Sequence, residues 1–395
     1  MKEFLEGSRA VAEIIKLCKP GVISAYPITP QTHIVEELAQ MVADGELNAQ
    51  FVNVESEHSA ASVVLGAVAT GVRVFTATSS QGLFYMGEVL YNISGLRLPL
   101  VMTCANRAVS SPINIWNDQQ DSVSLRDSGW IQLYAENIQE AVDLHLVGYR
   151  LSEDKSIMLP VMVCMDGFIL THGMETVDIP QQEEVDKFLP GYQPLYKLDP
   201  AQPLTMGLLA DPDYYLETRF AIQETFKDVL KMIPKINEEF KNHFGRDYKD
   251  GLVEEYFTRD AEKVIVAMGS VCGTIKEVVD AQRAKGKKVG LLKIISYRPF
   301  PYTRVYDVLK DVPRVAVLDK AVSPGAYAPL AIEVKATFFG KKKSPKVVSS
   351  FVAGLGGRDI TLESVKEIFG KLTQKEVSSE FIDLKPELLK EEYGQ

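Results

Sequence analysis

Apolar and polar positions along the chain switch repeatedly between a helical period and the short unbroken apolar runs of buried strands. Val11, Ile14, Ile15 and Cys18 fall at i, i+3, i+4 and i+7. Ser8 is placed to cap that helix and Pro20-Gly21 to end it. VISAY follows as a short strand. Ile34, Val35, Leu38, Met41 and Val42 mark a second amphipathic helix that closes near Asp44-Gly45. FVNV predicts another strand, and SEHSAASVVLGAVATG a helix of small residues capped by Ser56. RVFTAT, LPLVMTCA and LPVMVCM are further strands, with a long helix over about 136–152 between the last two. This alternation predicts an α/β fold: a parallel sheet with helices on both faces.

The rhythm breaks between 176 and 260. IPQQEEVDKFLPGYQPLYKLDPAQP is Pro-rich and polar, an extended connector, and DYYLETRFAIQETFKDVLKMIPKINEEFKNHF predicts one or two long charged helices. KVIVAMG, KVGLLKI, RVAVLDK and KVVSSF then restore the strand–helix pattern. The expected organisation is an α/β domain over 1–175, a connector over 176–260, a smaller α/β domain over 261–370 and a charged tail over 371–395.

Composition changes this picture little. The 395 residues are 46% hydrophobic and 24% charged, which excludes disorder, collagen and coiled coil. Forty-three Lys and Arg against 53 Asp and Glu leave a net charge of −10, which argues against nucleic acid as a partner. No apolar run approaches the roughly 20 residues that span a bilayer. The N-terminal stretch carries acids inside its apolar part, unlike a secretory signal. Cys18, Cys104, Cys164 and Cys272 are far apart with no C-x-x-C, so neither an iron–sulfur site nor a disulfide scaffold is expected. The expected setting is cytoplasmic, away from membranes.

Ligands of parallel α/β sheets bind in the loops after the strands. PITPQT follows VISAY, and its prolines freeze a loop that either presents Thr29 or merely turns into the next helix. Glu57 follows FVNV in a first helical turn, where the helix dipole alone would welcome a carboxylate. Because the helix beyond it is small and apolar enough to be buried, that carboxylate is either costly or used. Arg107 follows LPLVMTCA and has the fork geometry for a substrate carboxylate, with an internal ion pair as the alternative. Trp116, Asn117, Asp118 and Asp121 line the same mouth or cap the next segment. TATSSQGL is a phosphate loop or, more simply, a helix cap. There is no G-x-x-x-x-G-K-[ST] and no G-x-S-x-G, and GLGGRD lacks the dinucleotide spacing. His33, His58, His145, His172 and His243 show no metal-ligand spacing, so no metal site is expected.

The ordered set YPITPQT (26–32), VESEHSA (54–60), NRAVSSPINIWNDQQD (106–121), RDSGWIQL (126–133), LPVMVCMDGF (159–168), RPFP (298–301) and GLGGRDI (354–360) resembles the alpha subunits of multi-subunit pyruvate:ferredoxin oxidoreductases, the pyruvate synthases. The resemblance runs from about residue 5 to 365. It implies a thiamine-diphosphate pyrimidine-binding domain plus a domain like the carboxyl-terminal domain of transketolase. It implies a beta subunit holding the diphosphate, Mg2+ and one [4Fe-4S] cluster, a delta subunit with two more clusters, a gamma subunit, and activity only in the complex. Coenzyme A is then the co-substrate and ferredoxin the electron acceptor.

By the same resemblance, Glu57 matches the glutamate that hydrogen-bonds N1′ of the aminopyrimidine and so activates the thiazolium C2–H. Arg107 matches the arginine near the substrate carboxylate, and Thr29 the hydroxyl beside it. Pro27 and Ile28 match the wall against the pyrimidine. The implied reaction is the reversible oxidative decarboxylation of pyruvate to acetyl-coenzyme A and CO2. The alternatives are a sister enzyme for another 2-oxoacid (branched-chain, oxalate or aryl glyoxylate) and a non-catalytic scaffolding subunit.

Overall fold

Strands that read as unbroken apolar runs become the buried middle of a sheet. In the computed structural model, which describes residues 2–373 and 375–393, the chain begins β1 (Lys2–Glu6), α1 (Gly7–Cys18), β2 (Val22–Ile23), α2 (Thr32–Ala43), β3 (Gln50–Phe51) and α3 (Glu57–Ala69). It continues through β4 (Val74–Thr78), α4 (Ser80–Tyr85), α5 (Gly87–Gly95), β5 (Val101–Asn106), α6 (Gln120–Ser124) and β6 (Ile131–Tyr134). Then come α7 (Ile138–Ser152), β7 (Val161–Asp166), β8 (Met174–Asp178), α8 (Gln182–Phe188) and α9 (Tyr215–Phe244). The remaining strands are β9 (Val253–Tyr256), β10 (Lys263–Ala267), β11 (Val289–Ile294), β12 (Ser296–Arg298), β13 (Arg314–Asp319), β14 (Val347–Val352) and β15 (Glu380–Phe381).

Two compact units result. The first extends to Glu254 and includes Met268–Ser270 and Ile294–Pro301; the second comprises Glu255–Ala267, Val271–Lys293 and the chain from Tyr302 onward. The first is built on a seven-stranded sheet in the order β12-β6-β7-β5-β4-β2-β3. It is parallel except for β12, which pairs antiparallel with β6. Every residue of β4, β5 and β7 is buried, as their continuous apolar sequences require. The second unit has a six-stranded sheet, β15-β14-β13-β10-β11-β9. Its core joins Ile265, Leu291, Leu318 and Phe351 of the strands to Ile275, Val279 and Ile368 of the helices.

On folding, one local expectation is overturned, one strand emerges that the pattern had not shown, and one open alternative is resolved. Ser8 is not a cap: Glu6 precedes the helix, and the buried Ser8 hydroxyl donates to the Thr171 carbonyl at 2.8 Å. The cap position is displaced because Lys2–Glu6 is already a strand, paired antiparallel with Met174–Asp178. β6 escaped the hydrophobic pattern because Gln132 interrupts it. That side chain is buried, and its Nε2 donates to the Ser122 carbonyl at 2.8 Å. The charged segment after the connector is one helix of 30 residues, α9, despite Pro234 inside it. Its buried positions Ile222, Thr225, Val229, Ile233, Ile236 and Phe240 step by three and four, so one continuous stripe holds it to its neighbours. No helix among the described residues is long and apolar enough to cross a membrane.

Candidate active site

The order β5-β4-β2-β3 sets four successive strand ends side by side. From β2 the chain goes to β3 on one flank and then returns to β4 on the other. That reversal is the switch point at which open parallel sheets leave a crevice for ligands. The loops that open there carry Thr29, Glu57, Thr78–Gly82 and Arg107.

Loop 26–31 is held from beneath by Gln31, a residue the sequence did not single out. Fully buried, its Nε2 donates to the carbonyls of Tyr26 at 3.1 Å and Ala77 at 2.7 Å, while its own N–H donates to the Ile28 carbonyl at 2.8 Å. The loop is thereby tied to the end of β4. Pro27 and Thr29 remain exposed and Ile28 half-buried, so these three form the presented surface.

Glu57 opens α3, capped as expected by Ser56, whose hydroxyl accepts from the Ser59 N–H at 3.2 Å. The glutamate is only 8% exposed and makes no hydrogen bond or ion pair among the described residues. It lies against Gly82: a Cβ on that glycine would stand 2.7 Å from Glu57 Oε1 and 2.6 Å from Thr78 Oγ1. The Thr78 hydroxyl is buried and equally unpartnered. A buried carboxylate beside a buried hydroxyl with no donor from the protein is unfavourable by itself. Such a pair fits a ligand that brings its own hydrogen-bonding edge.

Arg107 is 6% exposed, and among the described residues its guanidinium forms no internal ion pair, the alternative reading. Nε donates to the Asn114 carbonyl at 3.0 Å and Nη1 to the Thr29 carbonyl at 2.9 Å. The structure thus brings Arg107 and Thr29 together through the backbone of the latter. Burial lowers the Arg107 pKa, and the nearby Asp121 carboxylate opposes that shift. The Ala108 N–H donates to the Trp116 carbonyl at 3.0 Å and closes the intervening loop. Trp116 is exposed, its ring 6.3 Å from that of Phe168.

Asp121 organises these loops without lining them. Wholly buried, its Oδ2 accepts from the N–H groups of Ser80 (2.9 Å) and Arg107 (3.0 Å). Its Oδ1 accepts from Asn106 Nδ2 (2.7 Å) and the Ser122 N–H (2.8 Å). Burial raises its pKa and these donors pull it back. Within the stretch TATSSQGL, Ser79 stands at the cap position of α4 without a capping side-chain hydrogen bond. Ser79 donates instead to the Ala105 carbonyl at 2.7 Å, and Ser80 sits at φ 49° with its N–H on Asp121.

Residues 13–238 match the family described as "Pyruvate flavodoxin/ferredoxin oxidoreductase, thiamine diP-bdg", and residues 261–365 match "Pyruvate:ferredoxin oxidoreductase core domain II". The chain belongs to the pyruvate:ferredoxin oxidoreductase family. It is 52% identical over 383 residues, 97% of this chain and 98% of the relative, to the pyruvate synthase subunit PorA of Methanothermobacter thermautotrophicus. It is 47% identical to the PorA subunit of Pyrococcus furiosus, over 93% of this chain and 92% of the relative. The ketoisovalerate oxidoreductase subunit VorA of Pyrococcus horikoshii is 43% identical, over 93% of both chains. Among solved structures, the 2-oxoglutarate:ferredoxin oxidoreductase of Magnetococcus marinus shares the fold at a TM-score of 0.70 and 20% identity. The alignment covers 94% of this chain and 65% of that one.

In this member of the oxidoreductase family, Gly82 is a position that no motif in the sequence marks. Only its missing side chain lets α4 approach the Glu57 carboxyl. Gly82→Ala is expected to push the Glu57 carboxyl group aside and lower kcat in the assembled complex by roughly 10–100-fold, since a displacement of about 1 Å costs about that much. Steady-state turnover alongside thermal melting checks this; wild-type kcat in a stably folded variant would refute it. All four cysteines are buried free thiols.

Proposed function

We propose that this chain is the alpha-type subunit of a pyruvate synthase. Within an assembled complex it takes part in converting pyruvate and coenzyme A to acetyl-coenzyme A and CO2, with two electrons passed to ferredoxin, and in the reverse reaction. The names of the most similar relatives support pyruvate as substrate. The observation that carries the reading is the pair of unpartnered polar groups, Glu57 and Thr78, against Gly82 in the segment matched by the thiamine-diphosphate-binding family.

Thiamine diphosphate, when bound, supplies the electron sink that lets a 2-oxoacid release CO2. The residues of this chain do the rest of the positioning. Glu57 accepts the hydrogen bond at N1′ of the aminopyrimidine and keeps a proton there, which makes the opposite amino group basic. Pro27 and Ile28 form the wall against that ring. Arg107 and the Thr29 hydroxyl take the substrate carboxylate, and Arg107 already holds the Thr29 carbonyl, so the two move as one. A beta subunit holds the diphosphate, Mg2+ and a [4Fe-4S] cluster; a delta subunit carries two further clusters and a gamma subunit completes the assembly. In this scheme 1–175 is the pyrimidine-binding domain, 176–260 the connector, 261–370 the transketolase-like domain and 371–395 a charged tail.

A branched-chain 2-oxoacid is the second reading, and the VorA relative is what favours it. Viologen or ferredoxin reduction by the purified complex decides between them. Pyruvate should give the highest kcat/KM among pyruvate, 2-oxoisovalerate, 2-oxoglutarate and phenylglyoxylate; a higher value for any other substrate overturns the assignment. Arg107→Ala should raise KM for pyruvate, with a loss of about 2–5 kcal/mol in transition-state binding if the charge pair is desolvated. Because the change also frees the Thr29 and Asn114 carbonyls, melting of the complex is measured with it. Unaltered pyruvate kinetics would remove Arg107 from the substrate site.

A further inference from the structure

Outside the oxoacid site, the fold gathers three side chains that sequence spacing kept apart. Glu6 ends β1, His33 stands in the first turn of α2, and His172 follows β7. One ligand atom from each lies within 4.8 Å of the others. His33 Nδ1 is 2.7 Å from Glu6 Oε1, and the two imidazole rings face each other at 4.7 Å between centroids. We propose that Glu6, His33 and His172 form a binding site for a divalent transition-metal ion of the zinc type.

The donor set suits that ion. Two imidazole nitrogens and one carboxylate oxygen are the ligands of three-residue zinc sites that keep an open fourth position. Ligand bonds of 2.0–2.2 Å in a tetrahedral site space the donors about 3.4 Å apart. Taking up the ion opens the 2.7 Å His33–Glu6 pair by roughly 0.7 Å and closes the wider separations, which lie within 4.8 Å, by up to roughly 1.4 Å, shifts within reach of rotamer adjustment. The ring of His172 is already oriented from behind: Nδ1 lies 2.7 Å from the buried Thr171 hydroxyl, leaving Nε2 for the metal.

The frame around the three residues is stiff. The N–H groups of Gly7 and Ser8 donate to the carbonyls of Gly173 (3.0 Å) and Thr171 (2.9 Å), which locks the end of β1 to the turn carrying His172. A Cβ on Gly7 would come within 1.7 Å of the Leu170 carbonyl oxygen, so this approach requires glycine. His33 is equally fixed, two residues beyond the buried Gln31. An ion here would cross-link β1, the start of α2 and the turn after β7. Gly167 of that turn packs on Pro30, with the site for a Cβ 2.6 Å from Pro30 Cγ, so the cross-link would brace loop 26–31 from outside.

The test uses the purified complex, dialysed against a chelator and then equilibrated with micromolar zinc chloride, with bound zinc measured by elemental analysis. Wild type should retain one more zinc per copy of this chain than His33→Ala or His172→Ala. Affinity at that site should fall by about 100-fold or more, since losses in the outer shell alone cost about 10–100-fold. His172→Cys should keep the ion, because a thiolate replaces the imidazole. Melting curves establish that each variant complex is folded. Equal zinc content and affinity in wild type and both alanine variants overturns the site.

Discussion

Glu57→Gln in the assembled complex is expected to lower kcat by roughly 10²–10⁴-fold, the range for loss of a positioned acid–base group. The substitution preserves size, so the tight contact with Gly82 and the Ser56 cap stay in place. What disappears is the carboxyl group that, in the proposed scheme, holds a proton at the pyrimidine nitrogen. An amide presents either an NH2 that opposes a protonated nitrogen or a neutral oxygen that stabilises it weakly. Stability should change little, because the carboxylate receives no hydrogen bond among the described residues and gains only about 0.3–1 kcal/mol from the helix N-terminus. Rapid-mixing measurement of iron–sulfur reduction by pyruvate, on a complex shown to be intact, gives the result. Reduction at the wild-type rate would show that Glu57 is not the activating group.

The second large effect belongs to a residue buried beneath the loops. Asp121→Ala strands four donors inside the protein: the N–H groups of Ser80, Arg107 and Ser122, and Asn106 Nδ2. At about 1–3 kcal/mol for each buried donor left unsatisfied, partly relaxed by shifts of the loops, a loss of about 3–5 kcal/mol follows. The sign of the charge effect is informative. Burial raises the Asp121 pKa, so ionising this group in the folded protein is unfavourable, and the stability it contributes falls as pH rises through the raised pKa. Its benefit therefore lies in its four acceptor positions and not in its charge as such.

Asp121→Asn separates the two contributions. The amide removes the buried charge, yet each carboxylate oxygen receives two donors, so either orientation sets an NH2 against two N–H groups. The asparagine variant should therefore also melt several degrees below wild type. Melting at the wild-type temperature would show that the four acceptor positions are not what this carboxylate contributes.

Much of the first unit was legible along the chain. The helix at Glu57 with its Ser56 cap follows from a polar residue standing before a run of small apolar ones. The strands around Phe75, Met102 and Met162 follow from apolar stretches too short for anything but a buried sheet. Ser8, by contrast, satisfied the local rule for a cap and serves elsewhere, because pairing between Lys2–Glu6 and Met174–Asp178 claimed the preceding residues. β6 was hidden by Gln132, whose polarity is acceptable only because the Ser122 carbonyl meets it.

What the sequence determined by itself was the alternation of elements, the loops that would stand at strand ends, and the residue types there able to do chemistry. Those properties are local: they depend on period, caps and turn residues within a few positions of one another. Only the tertiary structure decided that Gly82 and Thr78 would frame Glu57, that Gln31 and Asp121 would anchor the loops, and that Glu6, His33 and His172 would meet. Each of these joins residues far apart along the chain. Such partnerships come from strand order and from close approaches that one missing side chain permits, and neither leaves a periodic trace in the sequence.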